Sequence, residues 1–129
     1  MKILAAIHDL MFSSKVNAAA RGKAISWLPR GTPVAEHVAK EKPDVLLIDL
    51  ASPALNAVEA VRAIKSAPET REVVVIGYVD HTREDVIAAA RAAGADHVMS
   101  KGEFARRLPE LHPATGTCDA HYLAKSVRP

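Results

Sequence analysis

Three residues of this chain, Asp9, Asp49 and Lys101, have the types and spacing to do chemistry together, and His8 stands beside the first of them. Asp49 ends the run Val45-Leu46-Leu47-Ile48, four consecutive apolar residues flanked by Pro43 and Pro53. A short apolar run between breakers reads as a strand buried on both faces, in the middle of a parallel sheet. A carboxylate at the carboxyl end of such a strand opens into the crevice where open α/β sheets hold ligands. His8-Asp9 closes an earlier strand-like run, Lys2 to Ile7, and Ser100-Lys101 closes a later one. Two carboxylates and a lysine converging on one crevice suit phosphoryl chemistry. Carboxylates bind Mg²⁺, which takes hard oxygen ligands and keeps several waters. A carboxylate can also be a nucleophile toward phosphorus, forming an aspartyl phosphate. Lysine and the metal then neutralise phosphoryl charge. On spacing alone, Asp49 fits a loop or helix cap equally well.

The elements that must position these residues alternate between two periods. Strand-like runs fall at Lys2 to Ile7, Ala24 to Leu28, Val45 to Asp49, Val73 to Ile76 and Ala95 to Ser100. Helical spacing falls at Ser13 to Arg21, Val34 to Glu41, Asn56 to about Ala67, Thr82 to Ala93 and Glu103 to Leu111, the last broken near Pro109. Gly22 and Gly94 stand where helix ends favour a left-handed residue. Thr32 before Pro33 reads as an N-cap with proline in the first helical position. Asn56 with Glu59, and Thr82 with Asp85, read as reciprocal caps. Strands alternating with helices imply right-handed crossovers and a parallel sheet. Residues 113–129 show no periodicity and read as a loosely held tail behind a domain of residues 1–112.

Composition narrows the function classes. The 129 residues suffice for one domain with a single core. A net charge of +2 is too balanced to suggest nucleic-acid binding. No apolar run approaches a membrane span, and Met1-Lys2-Ile3 leads straight into a strand with no signal pattern, so the expected location is cytoplasmic. The single cysteine, Cys118, cannot form an internal disulfide and reads as an inert thiol.

Pro43-Asp44-Val45-Leu46-Leu47-Ile48-Asp49 with Pro53, and Gly94-Ala95-Asp96-His97-Val98-Met99-Ser100-Lys101, resemble the two signature stretches of response-regulator receiver (CheY-like) domains. The resemblance covers roughly residues 2–108. In that family the aspartate that receives the phosphoryl group and the lysine that contacts it lie about as far apart as Asp49 and Lys101 do. It implies a flavodoxin-like, doubly wound five-stranded sheet of order 2-1-3-4-5 with a short last helix. It also implies Asp49 at the phosphoacceptor position, Lys101 as phosphoryl contact, and a weak metal set of Asp9, Asp49 and Ala51.

The sequence departs from the family at four positions. Receivers carry two acidic residues after the first strand, where this chain has His8-Asp9. Neutral imidazole is a poor ligand for Mg²⁺ and its protonated form repels it. Receivers end the fourth strand on Ser or Thr, where Val79 stands. Their fifth strand carries an aromatic switch residue, where Val98 stands, and Gly102 replaces the proline after the lysine. Acceptor and lysine are kept, while metal binding and readout are weakened. The resemblance is therefore to a degenerate, or pseudo-, receiver: a stand-alone two-component signalling protein, not an enzyme, acting through a histidine kinase or other protein partner. Mg²⁺ is expected to bind weakly.

Two other readings stay open. One is a working receiver phosphorylated on Asp49. The other is a small flavodoxin-like protein binding a phosphate ligand, against which His8-Asp9-Leu10-Met11-Phe12 is bulky where a glycine-rich loop is wanted. A phosphatase using Asp49 as nucleophile lacks a clear second acid. Among lesser residues, His8 reads as a partly buried imidazole bonded to Asp49 or backbone, Asp80-His81 as a solvated loop, His97 as exposed, Trp27 as partly buried on an edge strand, and Arg106-Arg107 as solvated.

Overall fold

The computed structural model describes residues 2–20 and 25–110. Strands β1 (Ile3–Ala6), β2 (Ile25–Trp27), β3 (Val45–Asp49), β4 (Val74–Tyr78) and β5 (His97–Met99) alternate with helices α1 (Leu10–Ala20), α2 (Val34–Glu41), α3 (Ala57–Ser66), α4 (Glu84–Ala93) and α5 (Lys101–Arg107). A 3-10 turn, Leu108–Glu110, absorbs Pro109 after α5. The sheet is parallel and ordered β2-β1-β3-β4-β5. The strand order reverses between β1 and β3, so a crevice opens above their carboxyl ends, as it does in doubly wound sheets generally.

Strand alternation divides the core in two. Leu4, Ala6, Leu46, Ile48 and Val75 face Val34 and Val38 of α2, Val61 and Ile64 of α3, and Ala90 and Ala93 of α4. Ile3, Ala5, Val45, Leu47, Ile76 and Tyr78 face Phe12 and Val16 of α1 and Phe104 of α5. Both faces of β3 are covered, which is why Val45 to Ile48 are apolar without alternation. At the amino edge of the sheet, Lys65 Nζ meets Asp96 Oδ2 at 2.7 Å and ties α3 to the turn before β5.

The ends of the elements differ from the sequence expectation for local reasons. Helix α1 begins at Leu10, three residues early, because Asp9 Oδ1 accepts the Phe12 N–H at 3.1 Å and caps it. Strand β4 runs on to Tyr78, held by its register with Asp49. None of the three anticipated side-chain caps forms. Pro33 takes the cap position of α2 in place of Thr32. Asn56 does precede α3 but is left-handed (φ 47°), and Glu59 pairs with Arg62 instead of reaching back. Thr82 turns its hydroxyl onto Asp80 Oδ1 at 3.0 Å, leaving Arg83 before α4. Besides Asp9, a cap that does form is Ser100, whose hydroxyl accepts the Glu103 N–H at 3.2 Å and starts α5 at Lys101. Gly94 closes α4 with φ 109°, as its position suggested. Trp27 is half-buried on the edge strand. His97 is buried, contrary to expectation, because its strand position faces inward beside Ile76. Arg106 is exposed, whereas Arg107 is half-buried and lies 3.7 Å from Glu103. The expectations for Gly22, Cys118 and the tail of 113–129 lie outside the described residues.

Candidate functional site

An open cleft of about 740 Å³ sits at the carboxyl edge of the sheet, lined by His8, Asp9, Asp49, Ala51, Val79 and Lys101 among others. They arrive from four strand ends. His8 and Asp9 follow β1, Asp49 closes β3, Val79 follows β4, and Lys101 opens α5 after β5. Asp9 is half exposed. Its Oδ1 is held by the Phe12 N–H and its Oδ2 lies 3.7 Å from Lys101 Nζ. The Phe12 hydrogen bond and the lysine charge hold its carboxyl below the usual carboxylate range. Lys101 Nζ also stands over the Phe12 ring, 5.3 Å from its centroid. Its side chain remains 53% exposed, so the ion pair itself contributes little to stability and leaves the ammonium available to an anion.

Asp49 is partly buried, and its Oδ1 accepts the Ala51 N–H at 3.0 Å. Ala51 therefore reaches the cleft through a tight turn that the carboxylate itself folds. His8 is where the structure departs most from expectation. Its carbonyl accepts a hydrogen bond from Arg30, but both ring nitrogens are buried without a partner among the described residues. Neither Asp49 nor backbone holds them.

Val79 is buried; its N–H bonds the Met99 carbonyl at 3.0 Å and its side chain packs with the α2–α3–α4 face. Val98 is half-buried against the same face. Gly102 is exposed, and a Cβ there would meet nothing within 4 Å, so it imposes no close approach. Asp80 and His81 also border the cleft and are exposed. Hydrogen bonds from Thr82 lower the Asp80 carboxyl, which keeps it ionised and unsuited to donating a proton.

Tyr78 was not singled out from the sequence. It pairs directly with Asp49 in the β3–β4 register, is fully buried, and still borders the cleft. Its ring packs against Phe12 at 4.5 Å and Phe104 at 4.9 Å. Burial pushes its hydroxyl pKa well up, and the charges of Asp49 and Asp9 add to that. Counting by twos along the strand puts residue 78 on the face of Val74 and Ile76, but that this face meets Asp49 is given by the register alone.

Among the described residues no three of His, Cys, Asp or Glu converge as a metal-holding group. Of the three carboxylates that border the cleft, Asp80 is taken by Thr82, which leaves Asp9 and Asp49 as hard-oxygen groups of the kind that Mg²⁺ takes together with several waters.

No family model matches the chain. It is 32% identical over 111 residues to a protein-glutamate methylesterase/protein-glutamine glutaminase from Myxococcus xanthus (strain DK1622), a match covering 81% of this chain. The chain spans only 32% of that relative's length. Among solved structures it superposes on a response-regulator receiver domain from Rhodospirillum rubrum with a TM-score of 0.70 and 18% identity, over 86% of this chain and 90% of the other. It superposes equally on the receiver domain of a sensor histidine kinase from Pseudomonas aeruginosa PAO1, whose active site cleft coordinates a magnesium ion. There the TM-score is 0.69 and identity 19%, over 83% of this chain and 93% of the other. The fold is therefore that of receiver domains, with the expected strand order.

Proposed function

We propose that this chain, folded as a response-regulator receiver domain, is a two-component signalling unit that acts by binding a protein partner, a histidine kinase or another signalling protein. In this reading Asp49 is the phosphoacceptor and Lys101 its phosphoryl contact. Metal binding and the far-side readout are degenerate, and the function resides in residues 1–112, in a cytoplasmic setting. The observation that carries the reading is the convergence of Asp9, Asp49 and Lys101 on one cleft, with Lys101 3.7 Å from Asp9.

Phosphorylation at that cleft forms a bond from an Asp49 carboxylate oxygen to phosphorus while the donor's bond to phosphorus breaks, its electron pair leaving with the donor. Asp9, Asp49 and the main chain at Ala51 are the groups that would hold Mg²⁺, which supplies charge neutralisation there. With His8 in place of an acid, one hard ligand is missing and affinity is expected to be low. The readout is weakened because Val79 offers no donor to a phosphoryl oxygen and Val98 has no aromatic ring to swing. A ligand shifts a conformational equilibrium only through its differential interaction with the two states. No enzyme activity is proposed. Asp80, the other carboxylate bordering the cleft, is held ionised and supplies no general acid.

The test is to expose the protein to a small phosphodonor with Mg²⁺ and weigh it intact. Slow, partial gain of one phosphoryl group, lost in Asp49→Asn, is the expected result. No gain under any Mg²⁺ concentration removes the acceptor role. Rapid, complete gain at about millimolar Mg²⁺ removes the degeneracy and leaves the working receiver.

A further inference from the structure

The hydroxyl of Tyr78 is a buried donor with no acceptor among the described residues. Buried polar groups are almost always hydrogen-bonded, so an orphan in a residue that borders a cleft asks what completes it. The residue is fully buried, yet it borders the same cleft as Asp49 and Lys101 and stands beside Asp49 in the sheet. The Asp49 carboxylate lies close enough to act on the phenol, but it makes no well-formed hydrogen bond to it, and its Oδ1 is turned to the Ala51 N–H. A phosphoryl group on Asp49 brings further acceptor oxygens into the cleft, beyond the reach of the bare carboxylate.

We propose that Tyr78 donates its hydroxyl hydrogen bond to an oxygen of a phosphoryl group carried by Asp49, supplying the donor that Val79 lacks. This rests on the reading of Asp49 as acceptor. The phenol is suited to the role because a tyrosine hydroxyl carries its proton at neutral pH and can donate it. Its position is fixed by Phe12 and Phe104, whose centroids lie 4.5 and 4.9 Å away. The same Phe12 ring carries Lys101 Nζ at 5.3 Å, so the cation and the phenol share one scaffold. A ring clamped on two sides holds the oxyanion without travelling toward it, in keeping with a weak readout. This donor approaches from the α1–α5 face of β4, whereas Val79 belongs to the opposite face.

The probe is beryllofluoride with Mg²⁺ in excess, titrated into the unmodified protein, Tyr78→Phe and Asp49→Asn, with amide chemical shifts reading the affinity. Melting temperature of each free protein is measured in parallel. Tyr78→Phe keeps the packed ring and removes only an unsatisfied hydroxyl, so its free form should melt no lower. Its affinity for beryllofluoride should fall about tenfold, the order of one hydrogen bond to a charged group, while Asp49→Asn should not bind. Equal affinity in Tyr78→Phe and the unmodified protein overturns this proposal and leaves Asp49 as acceptor. A fall in affinity matched by a fall in melting temperature makes Tyr78 structural only and also overturns it. Failure of the unmodified protein to bind, or binding that survives Asp49→Asn, removes the acceptor reading and this donor with it.

Discussion

Replacing Lys65 with Met probes what holds the amino edge of the sheet together. The ammonium makes three contacts: Asp96 Oδ2 at 2.7 Å, the Val73 carbonyl at 2.7 Å and the Arg71 carbonyl at 3.1 Å. Asp96 Oδ2 also accepts the Val75 N–H at 2.8 Å, so one ion pair fixes the end of α3, the start of β4 and the turn into β5. Methionine keeps the stem that packs on Gly94, where an added Cβ would come within 3.0 Å of Lys65 Cγ. The loss is therefore of charge and donors, not of volume. Hydrogen bonds to charged groups contribute about 1.5–3 kcal/mol each. Breaking a fully buried pair costs about 3–5 kcal/mol. Here the side chains are 16% and 19% exposed, so water partly replaces the ammonium. We expect a loss of about 2–3 kcal/mol, or about 8–12 °C in melting temperature for a domain of this size. Urea unfolding with an unchanged slope is the assay. A double-mutant cycle with Asp96→Asn should show coupling of about 1–2 kcal/mol. A loss below about 1 kcal/mol, the range of exposed pairs, or additivity of the two changes, would refute the reasoning.

Gly77→Ala should cost about 1–3 kcal/mol, since its Cβ would fall 2.6 Å from Cγ and Cδ1 of the buried Leu50; a neutral result by denaturant unfolding would mean that Leu50 moves freely. His8→Asp should raise Mg²⁺ affinity by restoring a hard ligand, and titration calorimetry showing tight Mg²⁺ binding already in the unmodified protein contradicts the weak-metal reading. Alkaline unfolding tests Tyr78. Its folded pKa lies above the ordinary 10.0, so the unfolded state ionises first, and the stabilisation present below about pH 10 is lost as pH rises. Tyr78→Phe should lose less stability than the unmodified protein between pH 9 and 11, on either side of the ordinary tyrosine pKa of about 10; parallel curves would show that the phenol titrates normally. Lowering the pH works in the other direction for Asp9. Its depressed carboxyl favours folding above the ordinary 3.8 and loses that contribution as pH falls below it, so in Asp9→Asn the decline over that acid range should be shallower by denaturant unfolding.

Much of the fold could be read from the chain because its signals are local. Four apolar residues between Pro43 and Pro53 can only be buried on both faces, and Gly94 can close a helix because it tolerates φ 109°. Helices alternating with such strands leave little freedom but a right-handed parallel sheet, and Asp49 and Lys101 then meet at one edge. Caps were less legible, since Thr82 found Asp80 two residues before it and Glu59 found Arg62 three residues after it, while Asn56 took a left-handed backbone.

The site divides the same way. Residue types and spacing brought Asp9, Asp49 and Lys101 together as candidates. They could not say that the His8 nitrogens are buried without partners, nor that His97 faces inward, because both depend on which side of a strand a neighbouring helix covers. Tyr78 is the clearest case. By composition it is one aromatic at the end of an apolar strand. Only the β3–β4 register sets it beside Asp49, and only the packing of Phe12 and Phe104 clamps its ring. Register and helix packing are long-range properties, settled when the whole sheet closes, and no stretch of the chain carries them alone.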